Sequence, residues 1–306
     1  MADPRSNAVQ LITSIFLLKN RQVDVLKTSL IGTILSNLLL MNGLAFFVGG
    51  CRRVEQHYNV VVAQLLGSLL LLAFLSLMIP TASSMLSKTS FADVVKQSRG
   101  TAIMLLLSYV FWLIFQFKTH RETFNAPSQK APLKNYPKGT TTRGIARIGA
   151  ATAAMAGGAI SGGEFKDDDD DEEETPRLWL WTSVGAIVVS TVLIAFNTEF
   201  TTNSISGLLD QAGLSTTFVG LTIIPLLNND PTTLKTADKD KMDLTLALTT
   251  GKCIQTALMV IPLVIIIAWP MGVDEMTLSF NSFEIVSLFA SILIVNYIVQ
   301  DGTSNW

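Results

Sequence analysis

Eight stretches of apolar residues alternate with polar connections along the chain, and this pattern predicts an all-α polytopic membrane protein. A helix needs about 20 mostly apolar residues to cross the hydrocarbon core of a bilayer. Most of the stretches reach or approach that length, whereas the first and the sixth have only about a dozen residues. The predicted spans are Asn7–Leu18, Thr28–Val48, Val60–Ile79, Thr101–Phe117, Leu178–Phe196, Thr217–Leu227, Leu244–Trp269 and Phe283–Val299.

A polar segment between Lys118 and Arg177 divides the apolar stretches into two groups. It contains several prolines and an unbroken run of acidic residues, which stays solvated because its charges repel one another. We therefore predict two membrane halves, residues 1–117 and 178–306, joined by an extramembrane linker at residues 118–177. The acidic run is either a plain hydrophilic connection or a site that binds divalent cations at low affinity or has a regulatory role. It comprises Asp167, Asp168, Asp169, Asp170, Asp171, Glu172, Glu173 and Glu174.

The two halves repeat a pattern of charged, small and polar residues. The segment from Asp24 to Gly32 matches the segment from Asp243 to Gly251, with the same number of steps between aspartate and glycine. Shortly beyond each glycine stands a polar pair, Ser36-Asn37 and Gln255-Thr256, inside an otherwise apolar stretch. Internal duplication of this kind is typical of secondary transporters, whose binding sites lie near the middle of the membrane where the repeats meet.

Amide and hydroxyl side chains inside the predicted helices are candidates for lining an ion pathway. Polar groups within a bilayer are costly unless they are paired or hydrated, so we expect them to point toward the protein interior. Two interpretations stay open for Ser36, Asn37, Gln64 and Gln255. They line the pathway, or they hold neighbouring helices together and contribute about 1 kcal/mol each.

The composition agrees with a protein whose surroundings are largely lipid. Mean hydropathy is +0.44 and only 15% of the residues are charged, whereas soluble domains carry about a quarter. The net charge of −2 and the scattered basic residues argue against a nucleic-acid partner. Cys51 and Cys253 lack the spacing of metal ligands. The sequence has no nucleophile–base pair or phosphate-binding loop, so we expect a transporter without cofactors rather than an enzyme.

Eight runs of the sequence are more specific than general hydrophobicity and extend over nearly the whole chain. They are Asn7–Ile12, Val25–Gly32, Ile34–Leu40, Gly43–Gly50, Ser98–Thr101, Leu214–Leu221, Lys239–Leu244 and Asn296–Trp306. These runs resemble the calcium/proton exchanger (CAX) family, in particular its fungal vacuolar type. The resemblance implies an eleven-helix fold with two inverted repeats in a vacuolar or other endomembrane, where Ca²⁺ enters the lumen in exchange for protons. Two helices of that fold would precede Met1 and one would follow Trp306, so we expect about eight of the eleven.

The resemblance also implies where the ions bind, through one Gly-Asn-x-x-Glu motif in each half. Carboxylate oxygens suit Ca²⁺, and a carboxylate that also accepts a proton makes the two ions compete for one place. In the first half the motif reads Ser6-Asn7-Ala8-Val9-Gln10, so an amide replaces the carboxylate. In the second half Asn229-Asp230-Pro231-Thr232 takes its place. The distance from Asn229 to Asp243 is three residues shorter than the distance from Asn7 to Asp24. We take Asn7, Gln10 and Asn229 as candidate pathway residues.

Two other acidic residues are candidates to replace the missing carboxylates. Asp230 lies one residue after Asn229 rather than three, which turns it about 200° around a helix from the motif position. The alternative is that Asp230 caps a helix that begins with Pro231. Glu199 is either a replacement carboxylate or an interfacial residue. The polar segment from Asn228 to Lys241 is not expected to cross lipid on its hydrophobicity alone.

Three hypotheses about function stay open at this point. The first is a secondary active Ca²⁺/H⁺ antiporter, whose partners are calcium ions, protons and the lipid bilayer. The second is a non-transporting or decayed family member that acts as a membrane subunit, in a homo-oligomer or a hetero-oligomer with an intact exchanger. The third is a gene model with a wrong intron boundary near Leu227. Because both motif glutamates are missing, we expect little Ca²⁺ uptake driven by a proton gradient.

Overall fold

The computed structural model describes residues 4–52, 55–86, 90–119, 180–230, 232–239 and 241–304. Helices dominate these residues, because a backbone in lipid has to satisfy its hydrogen bonds within its own segment. The predicted linker lies almost entirely outside the described residues, and so does its acidic run, Asp167–Glu174. The division of the chain into two halves and a linker therefore stays a prediction.

The described residues of the first half form five α-helices, and π-helical turns continue two of them. The helices are α1 (Pro4–Lys19), α2 (Val23–Leu35), α3 (Asn42–Arg52), α4 (Val60–Leu86) and α5 (Phe91–Ile114); the π-helical segments are π1 (Ser36–Met41), between α2 and α3, and π2 (Phe115–Thr119), after α5. Helix α4 continues past its predicted end at Ile79 and includes Pro80. Hydroxyl groups beyond the proline hold this last part of α4, because Thr81 Oγ1 donates to the carbonyl of Leu278 at 2.8 Å.

In the second half, the residues that the structure describes form seven α-helical segments, several of them short. They are α6 (Leu180–Ala212), α7 (Thr216–Phe218), α8 (Ile224–Leu227), α9 (Thr232–Asp238), α10 (Met242–Gln255), α11 (Ile261–Ala268) and α12 (Ser282–Ile298); π3 (Val219–Ile223) lies between α7 and α8, and π4 (Thr256–Val260) lies between α10 and α11. A 3₁₀ turn, Val299–Asp301, follows α12.

Five helical elements among the described residues are long and apolar enough to cross a membrane: Val23–Cys51, Val60–Leu86, Phe91–Thr119, Met242–Ala268 and Ser282–Asp301. Three shorter apolar helices accompany them, at Asn7–Lys19, Val188–Thr201 and Thr216–Leu227. These elements match the eight predicted stretches, and the prediction of an all-α polytopic membrane protein is confirmed. Large apolar side chains such as Leu72 and Phe111 are exposed, as expected where the solvent is lipid.

Helix α2 and segment π3 bring the two halves into close contact. A Cβ atom at Gly32 would lie 2.7 Å from the Cα and the carbonyl oxygen of Leu221. A Cβ atom at Gly220 would in turn meet the side chain of Thr28. Small residues at both positions allow the two backbones to approach directly, which is a common way for helices to pack in membranes.

Two short strands connect the polar turn after α3 with the segment after α12. Strand β1 (Gln56–His57) pairs antiparallel with β2 (Thr303–Ser304), and Gln56 lies opposite Ser304. The amide of Tyr58 donates to the carbonyl of Gly302 at 3.1 Å. These contacts hold the ends of α3 and α12 on one side of the helical core.

Candidate ion pathway

The predicted polar pairs lie where two helices change from α to π geometry. Segment π1 begins at Ser36, beyond Gly32 of the first half, and π4 begins at Thr256, beyond Gly251 of the second half. A π-helical turn inside an α-helix is rare and is found mostly at functional sites. Both halves therefore interrupt a membrane helix at repeat positions that differ by one residue.

Hydrogen bonds between the halves join the motif asparagines to these polar pairs. Asn7 Nδ2 of α1 donates to Gln255 Oε1 at the end of α10. Asn229 Nδ2, in the turn after α8, donates to Ser36 Oγ at 2.8 Å. Because Asn7 corresponds to Asn229 and Ser36 corresponds to Gln255 in the repeat, each half contacts the other in the same way. This reciprocity joins four of the predicted residues in two pairs across the junction of the halves. We call these two pairs and the side chains bonded next to them the oxygen cluster.

The residue that replaces the first motif glutamate belongs to the same cluster. Thr256 Oγ1 donates to Gln10 Oε1 at 3.1 Å, and Gln10 is buried. Asn37, also buried, donates instead to the carbonyl of Thr33 in its own helix at 2.8 Å. Gln64 lies on an exposed face of α4, and the structure does not bring it to the cluster.

Two amide oxygens of the cluster are buried and have no hydrogen-bond partner in the described part of the chain. They are Asn7 Oδ1 and Asn229 Oδ1, one from each half. Ca²⁺ takes several oxygen ligands, among them the side-chain carbonyls of asparagine and glutamine. The donor set of this cluster therefore fits a hard cation in the type of its atoms, although each of these side chains is neutral.

A buried lysine lies next to this cluster and is not among the residues predicted from the sequence. Lys252 is only 7% exposed, and its Nζ donates to the carbonyl oxygen of Asn228 at 2.9 Å. The sequence does contain a signal for Lys252, because it is a lysine within an apolar span, and charged residues inside a membrane helix are costly and usually functional. The prediction of an apolar span at Leu244–Trp269 does not take this lysine into account.

Neither acidic candidate forms a hydrogen bond with the oxygen cluster among the described residues. Asp230 Oδ1 accepts a hydrogen bond at 2.9 Å from the amide of Thr232, the first residue of α9, and this contact favours the capping alternative. Glu199 is half-buried on α6. Among the residues that the structure describes, histidine, cysteine and acidic side chains form no group of three or more that would hold a metal ion. The cluster thus consists of amides, hydroxyls and the neighbouring lysine.

Comparison with known proteins identifies the fold to which this cluster belongs. The sodium/calcium exchanger protein family matches residues 6–118 and 182–306, which include every residue of the cluster. The chain belongs to this family. It is 34% identical over 358 aligned positions to a vacuolar calcium ion transporter of Cryptococcus neoformans var. grubii, with 98% of this chain and 59% of that protein covered. The chain thus spans less than two thirds of that relative.

Further family members support the same assignment. A Ca²⁺/H⁺ antiporter of Synechocystis sp. is 32% identical over 305 positions, with 98% of this chain and 75% of that protein covered. The solved structure of native YfkE superposes with a TM-score of 0.71 at 25% identity and covers 98% of this chain and 75% of its own. The resemblance to cation/proton exchangers that the sequence indicates is confirmed, and the helical fold agrees with it.

Proposed function

We propose that this chain moves Ca²⁺ across a vacuolar or other endomembrane in exchange for protons, at low capacity. The relatives named above are calcium transporters and Ca²⁺/H⁺ antiporters, and the chain has the same family fold. The observation that supports the proposal most directly is the reciprocal pairing of Asn7 with Gln255 and of Asn229 with Ser36. It joins oxygen-bearing side chains of both halves across their junction, which supports a site shared by the halves.

The geometry suggests how such a cluster serves transport. Each pair joins one half of the molecule to the other, so a cation that takes the same oxygens as ligands replaces contacts between the halves. Movement of the halves relative to each other then opens the cation site toward one side of the membrane. Alternating access of this kind is common among transporters built from internal repeats.

A second candidate function is favoured by the neutral character of the cluster. Gln10 provides an oxygen but carries neither charge nor an exchangeable carboxyl proton, and Thr232 stands where the second motif expects a glutamate. A family member with these residues acts as a non-transporting subunit that associates with an intact exchanger. The same cluster then serves to hold the two halves together.

Sealed vesicles that contain the purified full chain separate the two functions. With an acidic lumen, we expect Ca²⁺ uptake above that of protein-free vesicles, and a protonophore should abolish the difference. The Asn7→Ala variant should lose most of the uptake, because it removes a donor and an oxygen from the cluster. Asn197→Ala is the matched control, since Asn197 lies on an exposed face of α6 and bonds only within its own helix.

Wild-type vesicles without gradient-driven uptake would overturn the transport proposal. The second candidate then predicts that the chain co-purifies with a full-length relative and changes the flux of that relative in mixed vesicles. Unchanged flux in the mixed vesicles would overturn the subunit role as well.

A further inference from the structure

Lys252 extends from the helix face that carries the cluster. It precedes Gln255 by three residues and Thr256 by four, and α-helical residues three or four apart lie on one face. Gln255 accepts from Asn7, and Thr256 donates to Gln10. The Lys252 side chain therefore starts one helical turn away from the two residues that bond to Asn7 and Gln10.

The ammonium group of Lys252 ends at the second-half motif. Its Nζ donates at 2.9 Å to the carbonyl oxygen of Asn228, the residue directly before Asn229. Asn228 follows the short helix α8, and Asn229 carries one of the two buried amide oxygens without a partner among the described residues. One side chain thus connects the motif regions of both halves with a positive charge.

The repeat offers an internal comparison for this lysine. The position directly after the repeated glycine is Lys252 in the second half and Thr33 in the first half. Thr33 is buried and its hydroxyl donates within its own helix, to the carbonyl of Ser29 at 2.9 Å. The first half therefore places a neutral side chain where the second half places a cation.

We propose that the Lys252 ammonium is a tethered cation that competes with Ca²⁺ for the oxygens of the second-half motif. The inference rests on the proposed function, because it takes the cluster as the place where Ca²⁺ binds. A fixed positive charge repels a divalent ion at short range, and the repulsion is strong where little water screens it. The lysine also occupies the Asn228 carbonyl, a type of oxygen that Ca²⁺ uses as a ligand.

Equilibrium binding of radioactive ⁴⁵Ca²⁺ to the purified full chain tests this directly, without any need for transport. The Lys252→Thr variant, which copies Thr33, should bind Ca²⁺ about tenfold tighter than the wild type or more. Lys252→Arg keeps the charge and should bind as weakly as the wild type. Lys27→Thr is the matched control: it removes a partly buried lysine whose Nζ donates to Thr277 Oγ1 at 3.2 Å, away from the cluster.

Several results would contradict the proposal. Unchanged Ca²⁺ affinity in Lys252→Thr would show that the lysine does not compete. An equal gain in Ca²⁺ affinity for Lys252→Arg would exclude the charge of the lysine as the cause. An equal gain for Lys27→Thr would show that the net charge of the chain, and not the position of Lys252, causes the effect. Lys252→Met, which keeps most of the side-chain volume, should also bind tighter and decides the matter if the threonine variant fails to remain monodisperse.

Binding and uptake also separate this inference from the proposed function. Tighter binding by Lys252→Thr in a chain that shows no wild-type uptake would support the tethered cation and overturn transport by the wild type. Wild-type uptake with unchanged binding in Lys252→Thr would support transport and overturn the role of the lysine.

Discussion

At the scale of single residues, the cluster shows what happens when an amide replaces a carboxylate. Gln10 is buried, and its Oε1 accepts a hydrogen bond from Thr256 Oγ1 at 3.1 Å. Its Nε2 atom has no partner among the described residues. An amide supplies half the oxygens of a carboxylate and no charge, which lowers the affinity for a divalent cation and removes one proton site.

The first prediction concerns this residue. Gln10→Glu alone should leave gradient-driven Ca²⁺ uptake close to the wild-type rate, because the second half still presents Asn229 and Thr232 without a motif carboxylate. Uptake into sealed vesicles is the measurement, with Gln10→Ala as the comparison that removes the oxygen altogether. Full recovery of exchange by the glutamate would show that the second motif is dispensable.

At the scale of elements, the contact between α2 and π3 sets the position of the cluster. Gly32 lies one turn before Ser36, and π3 precedes the turn that carries Asn229. The backbone approach at Gly32 and Gly220 therefore brings Ser36 within hydrogen-bond distance of Asn229, at 2.8 Å. Packing of small residues and formation of the pair depend on the same crossing of two elements.

The second prediction follows from that crossing. Gly32→Ala should lower the thermal midpoint of the purified chain, because the new methyl group would lie 2.7 Å from backbone atoms of Leu221 and would force that backbone to shift. Overpacking of this kind costs about 1–3 kcal/mol. Gly43→Ala is the control, since a Cβ there meets open space. An equal or higher midpoint for Gly32→Ala would mean that the crossing relaxes freely.

Another element, α9, shows how the shortened second half is accommodated. The polar segment around it was expected not to cross lipid, and it folds as a turn and a short helix that packs against α3. Asp230 caps this helix, and the hydroxyls of Thr236 and Thr245 bond to each other at 2.8 Å. Local caps and hydroxyl bonds thus satisfy polar groups in a segment that lacks the apolar length of a span.

At the scale of the whole molecule, the connection after α3 is tied to the segment after α12. Strands β1 and β2 pair, and the Tyr58 hydroxyl donates to the carbonyl of Ile298 at 3.2 Å. Tyr58 lies outside the membrane-spanning segments. Burial raises its pKa above the ordinary value of 10.0, and the nearby charge of Asp301 raises it further.

The third prediction uses this titration. An acid whose pKa is raised by folding stabilises the fold fully below its ordinary pKa, and that contribution is lost as the pH rises through the folded value. The thermal midpoint of the wild type should therefore fall as the pH rises above 10.0, the ordinary pKa of tyrosine. Tyr58→Phe should start lower, because it lacks the hydrogen bond to Ile298, and should lose less over the same range.

Tyr297→Phe serves as the control for the alkaline experiment, because Tyr297 is 80% exposed. Its midpoint should follow the wild type at every pH. A Tyr58→Phe variant whose midpoint falls as steeply as that of the wild type would show that other groups cause the alkaline loss.

The helical architecture was predictable from the sequence to a large extent, and its ends were not. Apolar length identifies each predicted stretch, because a backbone in lipid has few alternatives to a helix. The apolar pattern predicts a span that ends at Ile79, whereas helix α4 continues through Pro80 to Leu86. Contacts with a loop 197 residues away, such as that of Thr81 with Leu278, decide this end.

The candidate site, like the helices, was predictable from the sequence only in part. Its polar residues and their repeated spacing are visible in the sequence, because amides and hydroxyls stand out in apolar helices and duplication preserves their order. Their pairing is decided by the tertiary structure, since Asn7 meets a partner 248 residues away and Asn229 one 193 residues away. The same packing leaves Gln64 outside and brings Lys252 in. The one-dimensional pattern records which residues are polar, whereas helix crossing and rotation determine which of them face each other.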